Sequence, residues 1–147
     1  MTYAELIQII TGGIGSLGFA ILFNVRGKRL VAAVAGGLLS WFLFVVISCF
    51  TDNEPLNYFI VAVTLTMYAE VMARLLKTPT TTFITTSLIP LIPGGSLYYT
   101  MAYAFQSDSV NFITKGTYTI QLASALALGI IVATTISRIR IKNNRGV

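Results

Sequence analysis

The sequence contains no histidine, and Cys49 is the single cysteine among its 147 residues. Histidine is the usual general base near neutral pH and the commonest metal ligand, so its absence argues against most acid–base catalysis and against a metal site. One cysteine cannot form a disulfide within the chain and offers no paired sulfur ligands. We therefore expect a protein that is not an enzyme and that has no metal or cofactor site.

Charged residues are also scarce. They make up 10% of the chain, whereas hydrophobic residues make up 55%; an ordinary soluble domain has about a quarter charged residues. This small number of charged residues cannot cover a water-facing surface. We therefore expect a multi-pass protein embedded in the lipid bilayer of the cell (plasma or inner) membrane. The net charge of +5 does not indicate nucleic-acid binding, because the basic residues lie between and after apolar runs, where they report topology.

Five segments are long enough to cross a hydrocarbon layer of about 30 Å, which takes roughly 20 helical residues. We predict an all-α integral membrane protein, with residues 1–147 forming a single transmembrane domain. The predicted spans are Ala4–Val25, Leu30–Phe50, Leu56–Leu76, Thr80–Phe105 and Tyr118–Ser137, and the links are Arg26–Arg29, Thr51–Pro55, Lys77–Pro79 and Gln106–Thr117.

The basic residues predict the orientation of these five spans. All but one of the ten Lys and Arg residues fall in the first link, at the third link or in the C-terminal tail, which share one side of the membrane. Only Lys115 lies on the other side. By the positive-inside rule, the N-terminus is outside and the C-terminus is cytoplasmic. The residues on the cytoplasmic side are Arg26, Lys28, Arg29, Arg74, Lys77, Arg138, Arg140, Lys142 and Arg145.

The fourth span is interrupted by the pattern Pro-x-x-Pro-Gly-Gly at residues 90–95. Proline removes an amide donor and clashes with the preceding turn, and glycine frees the backbone, so we expect the helix to stop near Ile89 or Ile92 and to restart after Gly95. In lipid, non-helical backbone survives only where protein or a water-filled cavity satisfies its polar groups, and many transporters build substrate sites from such interrupted helices. A proline kink without a binding role is the alternative.

Polar residues on both sides of this break form the candidate substrate site. A helix that restarts at Ser96 would present free amides and the positive end of its dipole to an anionic group such as a carboxylate. Two tyrosines next to the break are expected to line a cavity. The candidate substrate-binding residues are Thr86, Ser87, Pro90, Pro93, Gly94, Gly95, Ser96, Tyr98 and Tyr99.

Glu70 is the only acidic residue that we place inside the membrane. Intramembrane carboxylates are costly and often mark ion or proton pathways. Arg74 follows one helical turn later, in the order that favours an ion pair. A simple ion pair between Glu70 and Arg74 and a role in proton coupling or substrate binding therefore both stay open.

Small residues recur in the first and last spans. Gly13, Gly15 and Gly18 fit the dinucleotide-binding pattern G-x-G-x-x-G, but that motif needs a preceding strand, and here it lies within a membrane span. Such residues more often let helices approach closely. The residues spaced four apart are Gly12, Ser16 and Ala20 in the first span, and Ala125, Gly129, Ala133 and Ser137 in the last.

Two motifs carry a family resemblance. Gly18–Val25 (GFAILFNV), followed by a basic turn, and Lys77–Pro79 (KTP), followed by Leu88–Met101 (LIPLIPGGSLYYTM), resemble the signatures of the small-subunit membrane proteins of the threonine/serine exporter family. The resemblance implies the second half of a split exporter, working with a larger membrane subunit of the same family. It also implies threonine and serine as small-molecule substrates, or succinate for some split members.

The function expected from the sequence is that of a subunit of a secondary-active exporter of small carboxylate-bearing metabolites. The alternative is a non-transporting membrane subunit that assembles or regulates its partner. The sequence does not fix the oligomeric state, so a homo-oligomer and a hetero-oligomer both stay open.

The charge distribution makes a testable prediction about topology. Compared with the native chain, whose one cysteine is Cys49, chains with Asp52→Cys or Asp108→Cys should gain labelling by an impermeant thiol reagent added outside intact cells. Chains with Lys28→Cys or Lys142→Cys should gain none. Labelling of Lys142→Cys from outside would contradict the five-span arrangement.

Overall fold

The computed structural model describes residues 3–144, and every regular element in that part of the chain is helical. The all-α class is thereby confirmed. A single 3-10 turn, Ile89–Leu91, separates the fourth and fifth helices. The α-helices are α1 (Tyr3–Leu22), α2 (Lys28–Ser48), α3 (Glu54–Leu75), α4 (Thr80–Leu88), α5 (Gly94–Phe105) and α6 (Ser109–Asn144).

Four helices in the described residues, α1, α2, α3 and α6, are long and apolar enough to cross a membrane. α4 and α5 have 9 and 12 residues, which corresponds to about 13 Å and 18 Å of helix. Neither alone reaches across a hydrocarbon layer of about 30 Å. Of the basic residues used to predict the orientation, Arg145 lies outside the described residues.

Three helices end in the same way, on a residue with positive φ that is not glycine: Asn24 after α1, Lys77 after α3 and Ser107 after α5. At each end, the next residue's amide donates to the carbonyl five residues back, and the left-handed residue donates to the carbonyl three back. These are the paired bonds of the Schellman motif, which satisfies carbonyls that the end of the helix leaves open.

The predicted link Gln106–Thr117 is wrong, because α6 begins at Ser109. The Asp108 side chain accepts hydrogen bonds from the Asn111 backbone amide (3.2 Å) and side-chain amide (2.7 Å), and so caps the helix. These bonds also lower the pKa of Asp108 below its ordinary value. The last helix is therefore 36 residues long, and Lys115 lies within it.

Small residues let the helices approach closely, as predicted. A Cβ added to Gly37 on α2 would fall 1.9 Å from the Ser16 hydroxyl oxygen on α1. A Cβ added to Gly129 on α6 would fall 2.7 Å from the Ala62 Cβ and 2.8 Å from the Phe59 carbonyl oxygen on α3. Backbones pack at these points with no room for a side chain, which favours helix association in lipid.

The apolar core consists of two clusters of buried side chains. The first cluster joins α1, α2, α3 and α4 around Phe83. The second joins α3 and α6 to the segment that leaves α4, through Leu65, Leu122, Leu88 and Leu91. Because Leu88 and Leu91 are buried, the point at which α4 ends is part of the core and not a surface loop.

Candidate functional site

Between α4 and α5 the regular α-helical hydrogen bonds are interrupted, and a few bonds of the 3-10 turn and of the first turn of α5 take their place. Pro90 has no amide hydrogen, so it cannot donate to the Thr86 carbonyl four residues back. Beyond Pro90, the Ile92 amide donates to the Ile89 carbonyl (3.2 Å), and the Leu97 amide donates to the Pro93 carbonyl (3.0 Å). The turn and the first turn of α5 thus satisfy part of the backbone, and Thr86 needs a donor from elsewhere.

Ser16 on α1 supplies that donor. Its hydroxyl lies 2.8 Å from the Thr86 carbonyl oxygen, and both residues are completely buried. The two helices can meet here because Gly37 on α2 has no side chain to occupy the position of the hydroxyl. Ser16, in the middle of α1, therefore stabilises the carbonyl that Pro90 leaves open.

The hydroxyls of Thr86 and Ser87 face the protein interior. Thr86 donates to the Thr82 carbonyl of its own helix (2.8 Å). A Cβ added to Gly36 on α2 would fall 2.0 Å from the Ser87 hydroxyl oxygen, which is buried without a hydrogen-bond partner. The two residues are completely buried and thus belong to the tightly packed junction of α1, α2 and α4.

A cavity of about 660 Å³ lies between the starts of α3 and α5 and the second to fourth turns of α6. We call it the Glu54 groove. It contains three of the nine candidate residues, all on the first two turns of α5. Its lining residues are Glu54, Gly95, Ser96, Tyr99, Thr114, Lys115, Thr117, Tyr118 and Gln121.

The Glu54 groove brings a carboxylate and an ammonium group to one surface. The Tyr118 hydroxyl donates to the Glu54 carboxylate, and the Lys115 Nζ lies 5.7 Å from the centre of the Tyr118 ring, in cation–π range. Ligand sites are commonly clefts of about 300–1,000 Å³ with a few placed polar groups, and the groove fits that description.

The remaining candidate residues lie around the break without lining the groove. Pro90 and Pro93 are partly buried, and Gly94 is exposed. Tyr98 is 70% exposed and packs edge-on against Tyr99, with ring centres 5.5 Å apart. A Cβ added to Gly94 or to Gly95 would meet nothing within 4 Å, so packing in this chain does not require glycine at either position.

Glu70 and Arg74 form the ion pair that their spacing favours. Arg74 Nη2 lies 3.3 Å from Glu70 Oε2 and also donates to the Ser137 hydroxyl on α6 (2.8 Å). The Glu70 side chain is 17% exposed and the Arg74 side chain 52%. Sixteen residues, about 24 Å of helix, separate Glu70 from Glu54 along α3, so the ion pair is distant from the groove.

Sequence reasoning missed Glu54, Lys115 and Tyr118 as candidate residues. It placed Glu54 and Lys115 in links, where charged residues are ordinary, and it read Tyr118 only as the start of a span. Asp108 and Asn111, spaced as a helix cap, were the available signal that α6 begins early. An early start would have placed Lys115 and Tyr118 one turn apart on one helix face.

Residues 8–136 match the family model described as "Threonine/Serine exporter, ThrE". That range contains Ser16, the break, the Glu70 ion pair and all residues of the Glu54 groove. No curated protein and no solved structure matches the chain.

The bond between Ser16 and Thr86 leads to a prediction about stability. Ser16→Ala should lower the free energy of unfolding by about 1–2 kcal/mol, because a buried carbonyl loses its donor. In a Pro90→Ala background the loss should be clearly smaller, because an alanine amide can donate to the Thr86 carbonyl. A denaturant titration in mixed micelles measures all four chains of this cycle.

Ser40→Ala is the matched control. Ser40 is an equally buried serine on α2, and its hydroxyl donates to the Gly37 carbonyl of its own helix (2.7 Å). Its substitution should cost the same with or without Pro90. An equal cost of Ser16→Ala in both backgrounds would contradict the link between Ser16 and the proline.

Proposed function

Because the chain belongs to the threonine/serine exporter family, a family of transporters and not of enzymes, we propose that it is a subunit of a secondary-active exporter of small carboxylate-bearing metabolites. Threonine and serine are the expected substrates, and a dicarboxylate such as succinate is the other candidate. The observation that carries this proposal is the opening of the restarted helix α5 onto the Glu54 groove, where Gly95 and Ser96 lie beside Lys115.

A carboxylate in the groove would meet several complementary groups. The Gly94 amide donates to the Ile92 carbonyl (2.6 Å), but the amides of Gly95 and Ser96 precede the first bond within the helix, and the helix dipole places positive potential at that end. Lys115 adds a full positive charge from α6, and Ser96 and Tyr99 add hydroxyl groups. We assign substrate contact to Gly95, Ser96 and Tyr99; Gly94, which does not line the groove, precedes them at the start of α5.

The other candidate residues support a different part of the transport cycle. Thr86, Ser87, Pro90 and Pro93 lie where α4 ends, in or next to the packed junction of α1, α2 and α4. We propose that the segment around Pro90 and Pro93, which is not α-helical, forms the hinge between inward-open and outward-open states, and that the packed junction at Thr86 and Ser87 anchors it. Tyr98 lies on the exposed side of α5, and we place it near the mouth of the site.

We propose five membrane crossings in a single transmembrane domain that comprises residues 1–147. α4, the 3-10 turn and α5 together provide the fourth crossing, since their combined length suffices where neither helix does alone. The bias in basic residues places the N-terminus outside and the C-terminus in the cytoplasm. The Glu54 groove then lies toward the outer face, where an exporter releases its substrate.

A larger membrane subunit of the same family is the proposed partner. An odd number of crossings means that a five-crossing half before this chain would end on the side where this chain begins. Two halves with one fold would then have inverted topology, as in many secondary transporters. The competing proposal is a subunit that assembles or regulates the exporter without contacting substrate. That proposal assigns no function to the charged residues that line the groove.

Substitution of Gly94 and Gly95 by leucine tests the substrate site. Both positions have space for a side chain, and leucine favours helix by nearly 1 kcal/mol per residue over glycine, so the double variant should fold and reach the membrane. Export of threonine from loaded cells should fall at least about tenfold, because two side chains would cover the approach to the backbone.

Gly18→Leu is the control, since a Cβ at Gly18 on α1 also meets nothing within 4 Å and α1 contributes no residue to the lining of the groove. It should export at the native rate. Native export by the Gly94→Leu, Gly95→Leu chain would mean that the break is only a kink. Loss of partner binding together with export would favour the assembly role.

We propose Glu70 as the residue that couples export to the proton gradient. Its ion pair with Arg74 allows a test, because the pair can be broken from either side. Glu70→Gln should abolish the dependence of export on the pH gradient if Glu70 carries the transported proton. Arg74→Ala breaks the same ion pair but keeps the carboxylate, so its residual export should stay dependent on pH. Efflux measured with and without an imposed gradient separates the two, and unchanged pH dependence in Glu70→Gln would rule out coupling.

A further inference from the structure

Two residues of opposite charge face the Glu54 groove from different helices. Glu54 lies in the first turn of α3, and Lys115 lies in the second turn of α6. Glu54 is partly buried and Lys115 is exposed. The rest of the lining is uncharged and consists mostly of hydroxyl and amide side chains: Ser96, Tyr99, Thr114, Thr117 and Gln121.

Tyr118 contacts both charged residues and holds them in place. Its hydroxyl donates to one Glu54 carboxylate oxygen, and the Lys115 ammonium lies over its ring. A carboxylate accepts about four hydrogen bonds, and an ammonium group donates three. One tyrosine therefore leaves hydrogen-bonding capacity on both charged groups for a ligand in the cavity.

Resting on the proposed function, we infer that Glu54 and Lys115 determine the specificity of transport at this groove. Glu54 binds the ammonium group of an amino acid, and Lys115 binds its carboxylate. Tyr118 positions the two. The hydroxyl groups between them suit a polar side chain on the ligand. A dicarboxylate would place its second negative charge against Glu54, and like-charge contacts of this kind exclude competing ligands.

Glu54 also has structural roles that the test must separate from ligand binding. A carboxylate in the first turn stabilises the start of α3 through the helix dipole, and the bond to Tyr118 connects α3 to α6. Loss of a structural role would weaken the binding of every ligand alike. Loss of a charge contact weakens only those ligands that carry the opposite charge.

The experiment uses right-side-out membrane vesicles that contain the chain and its partner subunit, loaded with threonine. Exchange for external radiolabelled threonine is competed with three unlabelled compounds. Threonine carries both charges, 3-hydroxybutanoate has only the carboxylate, and threoninol has only the ammonium group. The half-inhibiting concentration of each compound is compared between native and variant chains.

Glu54→Gln should raise the half-inhibiting concentrations of threonine and threoninol at least about tenfold, as expected for a lost charge-assisted hydrogen bond, and should leave that of 3-hydroxybutanoate unchanged. Lys115→Gln should do the reverse, affecting threonine and 3-hydroxybutanoate but not threoninol. Asp52→Asn removes an exposed carboxylate two residues before Glu54 and outside the groove. It should change none of the three.

Equal weakening of all three compounds in both variants would assign the pair a structural role and overturn the inference. Native selectivity in both variants would also overturn it, while exchange by the native chain would leave the exporter function intact. If native vesicles exchange no threonine, this assignment fails; the proposed exporter function fails only if they exchange no succinate either.

Discussion

The hydrogen bond from Ser16 to the Thr86 carbonyl is the contact on which the arrangement of α4 and the turn that follows it depends. Pro90 removes the helical donor of that carbonyl, and a buried polar group without a partner is costly in lipid. α1 supplies the donor at 2.8 Å, and Gly37 on α2 leaves the space for it. Three helices must therefore be in register before α4 can end where it does.

The hydrogen bond between Ser16 and Thr86 lies on one side of a boundary between two regions that are adjacent in the sequence: the end of α4 and the start of α5. Up to Leu91 the chain belongs to the core, where hydroxyls and glycines serve packing. Beyond it, Gly94 and Gly95 are exposed, and α5 opens onto a groove lined by both signs of charge. The packed end of α4 thus lies next to a short helix, α5, that borders an open groove. This arrangement suits a transporter, which must keep its fold while its substrate site opens first to one side of the membrane and then to the other.

The sequence predicted the helical class, the glycine contacts between helices and the Glu70–Arg74 spacing, because each follows from local periodicity or composition. It misplaced the start of α6, since apolarity alone does not indicate that Asp108 caps a helix that begins before the continuous apolar run. It missed the pairing of Glu54 with Tyr118 because those residues are 64 positions apart. Only the parallel packing of α3 on α6 brings them together, and no local pattern encodes that register.

The central claim, that the start of α5 contacts the transported molecule, can be tested by substrate protection. In a Cys49→Ser background, Ser96→Cys lies in the groove, whereas Met101→Cys, at an exposed position further along α5, does not. The account predicts that external threonine slows the reaction of an impermeant thiol reagent with the first chain and leaves the second unchanged. Equal rates with and without threonine at Ser96→Cys, in a chain that still exports threonine, would contradict it.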